Sequence, residues 1–150
     1  MLELLSNKIL IVAIIANFIA QMLKVPINYF KFKKWDLGLI FSTGGFPSSH
    51  TSTVSALTLR IGTDIGFGSP LFALSFIVAI ITMIDASGLR QEVGRHSKTL
   101  NDLLQALKMG EIIGFDELEE LIGHTKLEVL GGLILGIIVG LISLKIPFLI

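Results

Sequence analysis

The sequence predicts an all-α fold: a polytopic membrane helical bundle of about four spans plus an amphipathic cytoplasmic helix, built as a single domain over residues 1–150. Three observations carry that prediction. First, 52% of the residues are apolar, only 16% are charged, and the mean hydropathy is +0.80. A soluble domain is charged at about 25% of its positions. Second, the apolar residues gather in runs at 4–25, 71–84 and 127–144, near the length that crosses a hydrocarbon core of ~30 Å. Third, lysine and arginine concentrate between those runs, as in the loops of membrane proteins. Twelve basic residues balance twelve acidic ones, so the chain exerts no long-range pull on nucleic acid. It has no cysteine, which excludes disulfide and thiolate chemistry.

The first span is expected over residues 4–25, closed by Pro26. Its first eight residues hold one Lys and one Glu, with no small-x-small cleavage site after the apolar run, so it reads as a retained span. Ala13, Asn17 and Gln21 recur every four residues and form a polar stripe that should face other helices. A basic loop follows, with Lys24, Lys31, Lys33 and Lys34, and with Trp35 as an interfacial anchor. The apolar run 37–41 is too short to span. Residues 48–61 read as a second span, so dense in Ser and Thr that it should be buried among its neighbours. Arg60 and Asp64 at its end have the spacing of a local ion pair.

Residues 62–70 carry turn chemistry. Residues 71–84 form the third span, which ends at Asp85 and is interrupted by Ala86-Ser87-Gly88. Residues 89–109 read as the amphipathic helix, with Arg90, Glu92, Arg95, His96 and Lys98 on polar faces. The acidic run 116–120 reads as a solvated stretch. Residues 127–144 form the last span, in which Gly132, Gly136 and Gly140 make a double G-x-x-x-G. Such a stripe admits a close neighbour, either within the chain or in a second copy that would make a homodimer.

Four spans place the loop 24–47 and the stretch 85–126 on one side. That side holds Lys24, Lys31, Lys33, Lys34, Arg90, Arg95, Lys98, Lys108 and Lys126, against Lys8, Arg60 and Lys145 on the other. Nine against three makes the first side cytoplasmic. On that same side fall three polar clusters. Gly44-Gly45-Phe46-Pro47-Ser48-Ser49-His50 opens the second span and offers helix N–H groups, two hydroxyls and an imidazole: the means to hold a phosphate and protonate a leaving group. Asp85 to His96 follows the third span, where Arg90 and Arg95 suit phosphate oxygens or anionic headgroups. His124 precedes the fourth span, four residues before Glu128. On a helix the two would share a face, and the carboxylate would fix the imidazole tautomer. Thr125 and Glu128 equally fit a capping box, which would make Glu128 structural. Lys33 and Lys34 lie just ahead of the Gly-Gly turn, within possible reach of a phosphate or of the lipid surface. No metal-ligand spacing is present, and no cofactor is expected.

Taken in order, Gly44-Gly45-x-Pro47-Ser48-Ser49-His50, Asp85-Ala86-x-Gly88-x-Arg90 and Gly123-His124-x-x-x-Glu128-Val129 resemble the divergent branch of the type-2 phosphatidic acid phosphatase superfamily, related to vanadium haloperoxidases. The resemblance implies a metal-independent phosphatase. It casts His124 as the nucleophile on phosphorus, Glu128 in place of the usual Asp as its orienter, and His50 as the acid that protonates the leaving alkoxide. Lysine and arginine bind phosphate in that superfamily, in keeping with Arg90 and Arg95. Ser48 and Ser49 at the helix start and Lys34 ahead of the turn are further phosphate-binding candidates from their own chemistry, Lys34 without support from the motif. The Lys-x6-Arg-Pro motif of the wider superfamily is missing here, and Leu118 stands where its third motif carries Arg. Arg90-x5-His96 repeats the Arg-x5-His spacing, which makes His96 a rival nucleophile, with Leu100 at the acidic position. Asp85 is a further candidate. The resulting expectation is hydrolysis of a lipid phosphomonoester, of the phosphatidate or phosphatidylglycerophosphate type, in the cell membrane. Two alternatives stay open: a non-catalytic binder of phospholipid headgroups, and a subunit of a lipid transporter or flippase.

Overall fold

The computed structural model describes residues 6–42, 44–107 and 125–146, with backbone alone for residues 89–92, 95, 102 and 105–107. These residues form five α-helices: α1 Lys8–Phe32, α2 Ser49–Asp64, α3 Pro70–Ser87, α4 Leu89–Leu107 and α5 Lys126–Ser143. A short 3-10 helix, Leu37–Phe41, lies between α1 and α2. No strand occurs among the described residues. The all-helical class expected from composition is therefore the one observed.

The helix ends follow side-chain chemistry. The Asn7 side chain accepts the Leu10 N–H at 3.0 Å and opens α1. Pro26 was expected to close that helix, but α1 runs through it to Phe32. A proline inside a helix removes one hydrogen bond and costs ~3 kcal/mol. Here Lys24 and Val25, on the turn just before it, are buried against the bundle, and that packing carries the helix onward. The end is set instead by Lys33, whose left-handed φ of 58° lets its N–H reach the Tyr29 carbonyl at 2.8 Å. Ser48 caps α2 and Ser69 caps α3, where Pro70 takes the first-turn position that needs no N–H. Gly88 alone separates α3 from α4, at the break expected at 86–88; its N–H bonds the Ile84 carbonyl at 2.8 Å. Thr125 and Glu128 form the capping box of α5.

α1, α3 and α5 are each long and apolar enough to cross a membrane. At ~1.5 Å per residue, the 25 residues of α1 extend roughly 37 Å. α2 is not among the three, and it occupies the centre. It packs on α1, α3 and α5, while α4 packs on α3. Lys24 reaches Ser42 just ahead of α2, Ser52 donates to the Ala16 carbonyl, and Ala56 packs with Val12, so α1 and α2 are antiparallel. Thr58 donates to the Ser75 carbonyl across the α2–α3 hairpin. α5 runs parallel to α2, with Gly132 against Ser48, Gly136 against Ser52 and Ser55, and Gly140 against Leu59.

Burial runs opposite to that of a water-soluble protein. The interior is small and hydroxylated: Ala13, Ala16, Ala20, Ser48, Ser52, Ser55 and Ala56 are buried. Large apolar side chains point outward, among them Ile14 and Phe18 on α1, Leu74 and Ile81 on α3, and Ile134 and Ile142 on α5. Between helices in lipid, small residues permit close approach and hydrogen bonds add to it, while the bulky residues meet acyl chains. The glycine stripe of α5 is covered by α2 of the same chain, the internal neighbour of the two alternatives. A second copy would have to use another face.

The expected Arg60–Asp64 pair forms, at 2.7 Å. Its arginine lies inside the bundle while Asp64 stays exposed: Arg60 is 2% exposed, and its guanidinium also donates to Ser143 on α5 at 3.2 Å.

Candidate active site

The end of the bundle that carries the start of α2 also carries the later turns of α1, the end of α3, and the starts of α4 and α5. The start of α2, the junction of α3 with α4, and the start of α5 therefore lie toward one end. The lysine at its centre is Lys24. Its side chain is 2% exposed, and its ammonium donates to the Ser42 carbonyl at 2.8 Å. The Glu128 carboxylate acts on the same ammonium electrostatically. The stem of Lys24 runs beneath Gly45, 3.7 Å from where a Cβ would stand. Gly45 has φ of 93°, a conformation that costs glycine nothing. The Ser42 hydroxyl donates to the carbonyls of Leu39 and Gly44 at 2.8 and 3.2 Å and so folds the loop back over the lysine.

That loop delivers the chain into α2. Ser48 is fully buried. Its hydroxyl accepts from Thr51, both from the N–H at 3.4 Å and from the side-chain hydroxyl at 3.1 Å. Its own N–H donates to the Glu128 carbonyl at 2.9 Å. The start of α2 is thus joined directly to the first turn of α5. Ser49 is 1% exposed, and its carbonyl accepts from Thr53 at 2.7 Å. His50, one position on, is half-buried. Phe46 lies over Gly131, where a Cβ would collide with its ring.

Glu128 has several tasks. Its carboxylate accepts the Thr125 N–H at 3.2 Å, and its own N–H donates to the Thr125 hydroxyl at 3.3 Å. α5 therefore begins after Thr125, and His124 precedes the cap. Glu128 is thus the cap that its spacing from Thr125 allowed. His124 itself lies outside the described residues, as does the acidic run 116–120. Arg90 and Arg95 are on the backbone of α4, and their side chains also lie outside the description. Asp85 is half-buried near the end of α3. The register that pairs Thr58 with Ser75 brings Asp85 to the depth of Ser48. His96, two turns into α4, is exposed.

Lys34 is exposed, and its carbonyl accepts from Asn28 at 2.9 Å. The ammonium enclosed by the site belongs to Lys24, which the sequence reading had grouped with the surface lysines of the loop. The signal for it was present. Lys24 is three residues past Gln21, so it extends the Asn17–Gln21 stripe already assigned to the bundle interior.

Long apolar helices around a small, polar interior, with a buried lysine at one end, define an all-helical integral membrane protein. Its sequence places it further: the chain belongs to the Divergent PAP2 family, whose profile matches residues 5–139. It is 38% identical to the uncharacterized membrane protein YuiD of Bacillus subtilis (strain 168), over 94% of this chain and 96% of that protein. No solved structure matches it.

Proposed function

We propose that this chain is an integral-membrane lipid phosphatase that hydrolyses a phosphomonoester of the phosphatidate or phosphatidylglycerophosphate type at the cytoplasmic face of the cell membrane. The observation that carries the reading is the convergence of Lys24, the 42–48 loop, the start of α2 and Glu128 at one end of the bundle. A buried ammonium under a glycine turn, beside a helix N-terminus, is suited to a phosphate dianion. In this reading the bundle has four spans. α2 is the fourth, because it lies alongside α5 from Ser48 to Arg60 and so shares its depth. α4 is the amphipathic cytoplasmic helix.

The chemistry follows the resemblance. The phosphoryl group sits over Lys24 and the first turn of α2, with the Ser48 hydroxyl and the Ser49 N–H as donors, and with Arg90 and Arg95 as the guanidinium ligands the resemblance implies. An imidazole nitrogen of His124 attacks phosphorus and forms a P–N bond. The ester P–O bond breaks, its electron pair goes to the leaving alkoxide, and His50 supplies the proton. Water then attacks the phosphohistidine, the P–N bond breaks, and inorganic phosphate leaves. Glu128 holds the start of α5 against Ser48.

The test is release of inorganic phosphate from a short-chain lipid phosphomonoester by the purified, reconstituted protein. His124→Ala is expected to abolish release while the protein stays folded. Loss in His96→Ala with normal turnover in His124→Ala would transfer the nucleophile to His96. Absence of any release from the native protein across lipid phosphomonoesters would sink the phosphatase reading and leave headgroup binding or lipid transport.

A further inference from the structure

We propose that the last turns of α1 and the strap that follows it form a docking surface for anionic lipid headgroups. The proposal stands whether or not the chain hydrolyses phosphate. α1 is longer than a hydrocarbon core requires, and its surplus lies beyond Lys24. There the side chains change character. Phe30, Phe32, Trp35, Leu37 and Phe41 are all exposed; Trp35 is 67% and Phe41 88% exposed. Between them stand Lys31, Lys33 and Lys34, also exposed.

The two sets are interleaved. Trp35 stacks on Tyr29 with ring centroids 4.6 Å apart and an interplanar angle of 25°. The Lys33 ammonium lies 5.6 Å from the Tyr29 centroid, and that of Lys31 lies 5.1 Å from the Phe32 centroid. Asn28 holds the strap by donating to the Lys34 carbonyl. The acid of this segment, Asp36, accepts the Gly38 N–H at 2.9 Å as the cap of the 3-10 helix. The patch is therefore a rigid aromatic platform carrying an excess of positive charge.

Exposed aromatic rings bearing ammonium groups suit the boundary between acyl chains and headgroups. The rings enter the apolar side and the lysines reach the phosphates. A zwitterionic surface would satisfy the rings alone. The lysines add a demand for net negative charge, and each is worth about a fivefold preference for an anionic surface. That charge complementarity selects anionic lipid over a neutral apolar partner.

Trp35 is the chain's one tryptophan, so it reports on this patch without background. The full-length protein would be placed in nanodiscs containing phosphatidylglycerol and phosphatidylcholine, with bromine on the acyl chains of one lipid or the other. Quenching of Trp35 measures which lipid lies beside it. At equal mole fraction, brominated phosphatidylglycerol should quench with an apparent preference of roughly fivefold or more. The preference should fall toward one in the Lys31→Gln, Lys33→Gln, Lys34→Gln triple variant. Should that variant fail to fold, a salt titration of the native protein serves instead, since ~1 M salt shortens screening to ~3 Å and should erase the preference. Equal quenching by both lipids, or a preference unmoved by salt, overturns the proposal. So does the absence of quenching by either lipid, which would place Trp35 in water and favour a soluble partner.

Discussion

A lysine ammonium carried into the interior of a helical bundle must be met by acceptors or by opposite charge, since leaving it bare costs several kcal/mol. Lys24 meets the Ser42 carbonyl and the field of Glu128. Its ammonium is thereby fixed at the site end of the bundle, where a phosphate would gain a strong interaction. Lys24→Met keeps the stem and deletes the charge. It should lower phosphate release by ~10²–10³-fold, the usual effect of removing one preorganised electrostatic contact. The thermal midpoint should hold or rise, because replacing a buried ion by an apolar side chain is often neutral or stabilising. Near-native turnover in Lys24→Met would remove it from the site. His50 allows a sharper test. A general acid contributes ~10²–10⁴-fold, and only where the leaving group is a poor one. His50→Ala should therefore slow an alkyl phosphate far more than an activated aryl phosphate. Equal losses on both would make His50 a binding or folding residue.

Among the helices, α2 and α5 meet most intimately, and the contact is made by what α5 lacks. A Cβ on Gly136 would collide with the Ser52 carbonyl oxygen and stand 2.7 Å from the Ser55 Cβ. Backbone cannot move aside as a flexible side chain can. Gly136→Ala should thus force the helices apart and destabilise the protein by ~1–3 kcal/mol, the range for overpacking. Gly68→Ala, with nothing within 4 Å of its new methyl, is the matched control, and denaturant unfolding of both in detergent compares them. Equal stability would mean that α2 and α5 pack more loosely than this. The stripe itself was legible in the sequence, because a four-residue spacing is a local pattern. Its occupant was not, because α2 and a second copy would bury the same face equally well. Thr125 and Glu128 teach a similar lesson. Their spacing suited both a cap and a catalytic pair with His124, and only the position of the helix start decides what shares a face. Pro26 misled for the opposite reason: its local cost is real, yet α1 runs on to Phe32, with Val25 buried in the turn before it.

At the scale of the whole molecule, the class was readable from composition, since more than half the chain is apolar and the long runs are few. The interior was readable in part. Hydroxyl-rich α2 was expected to lie among its neighbours and does, whereas the enclosure of Lys24 was not expected, because it sits in a run of loop lysines. Direction across the membrane rests on charge, and the structure refines that count. Lys24 and Arg60 are buried in the bundle, so neither acts as a free loop charge during insertion. Removing both leaves Lys31, Lys33, Lys34, Arg90, Arg95, Lys98, Lys108 and Lys126 against Lys8 and Lys145. The bias toward a cytoplasmic site end becomes steeper than nine to three. A chain with no cysteine of its own permits a clean test: a single cysteine in place of Glu119, in the segment between α4 and α5. In intact cells it should resist a membrane-impermeant thiol reagent and react once the cells are lysed. A second cysteine variant at Gly68, in the turn between α2 and α3 at the opposite end, should show the reverse. Rapid labelling of Glu119→Cys in whole cells, with Gly68→Cys protected, would invert the topology. The site would then face the outer leaflet, and its substrate would have to be a lipid phosphate presented there.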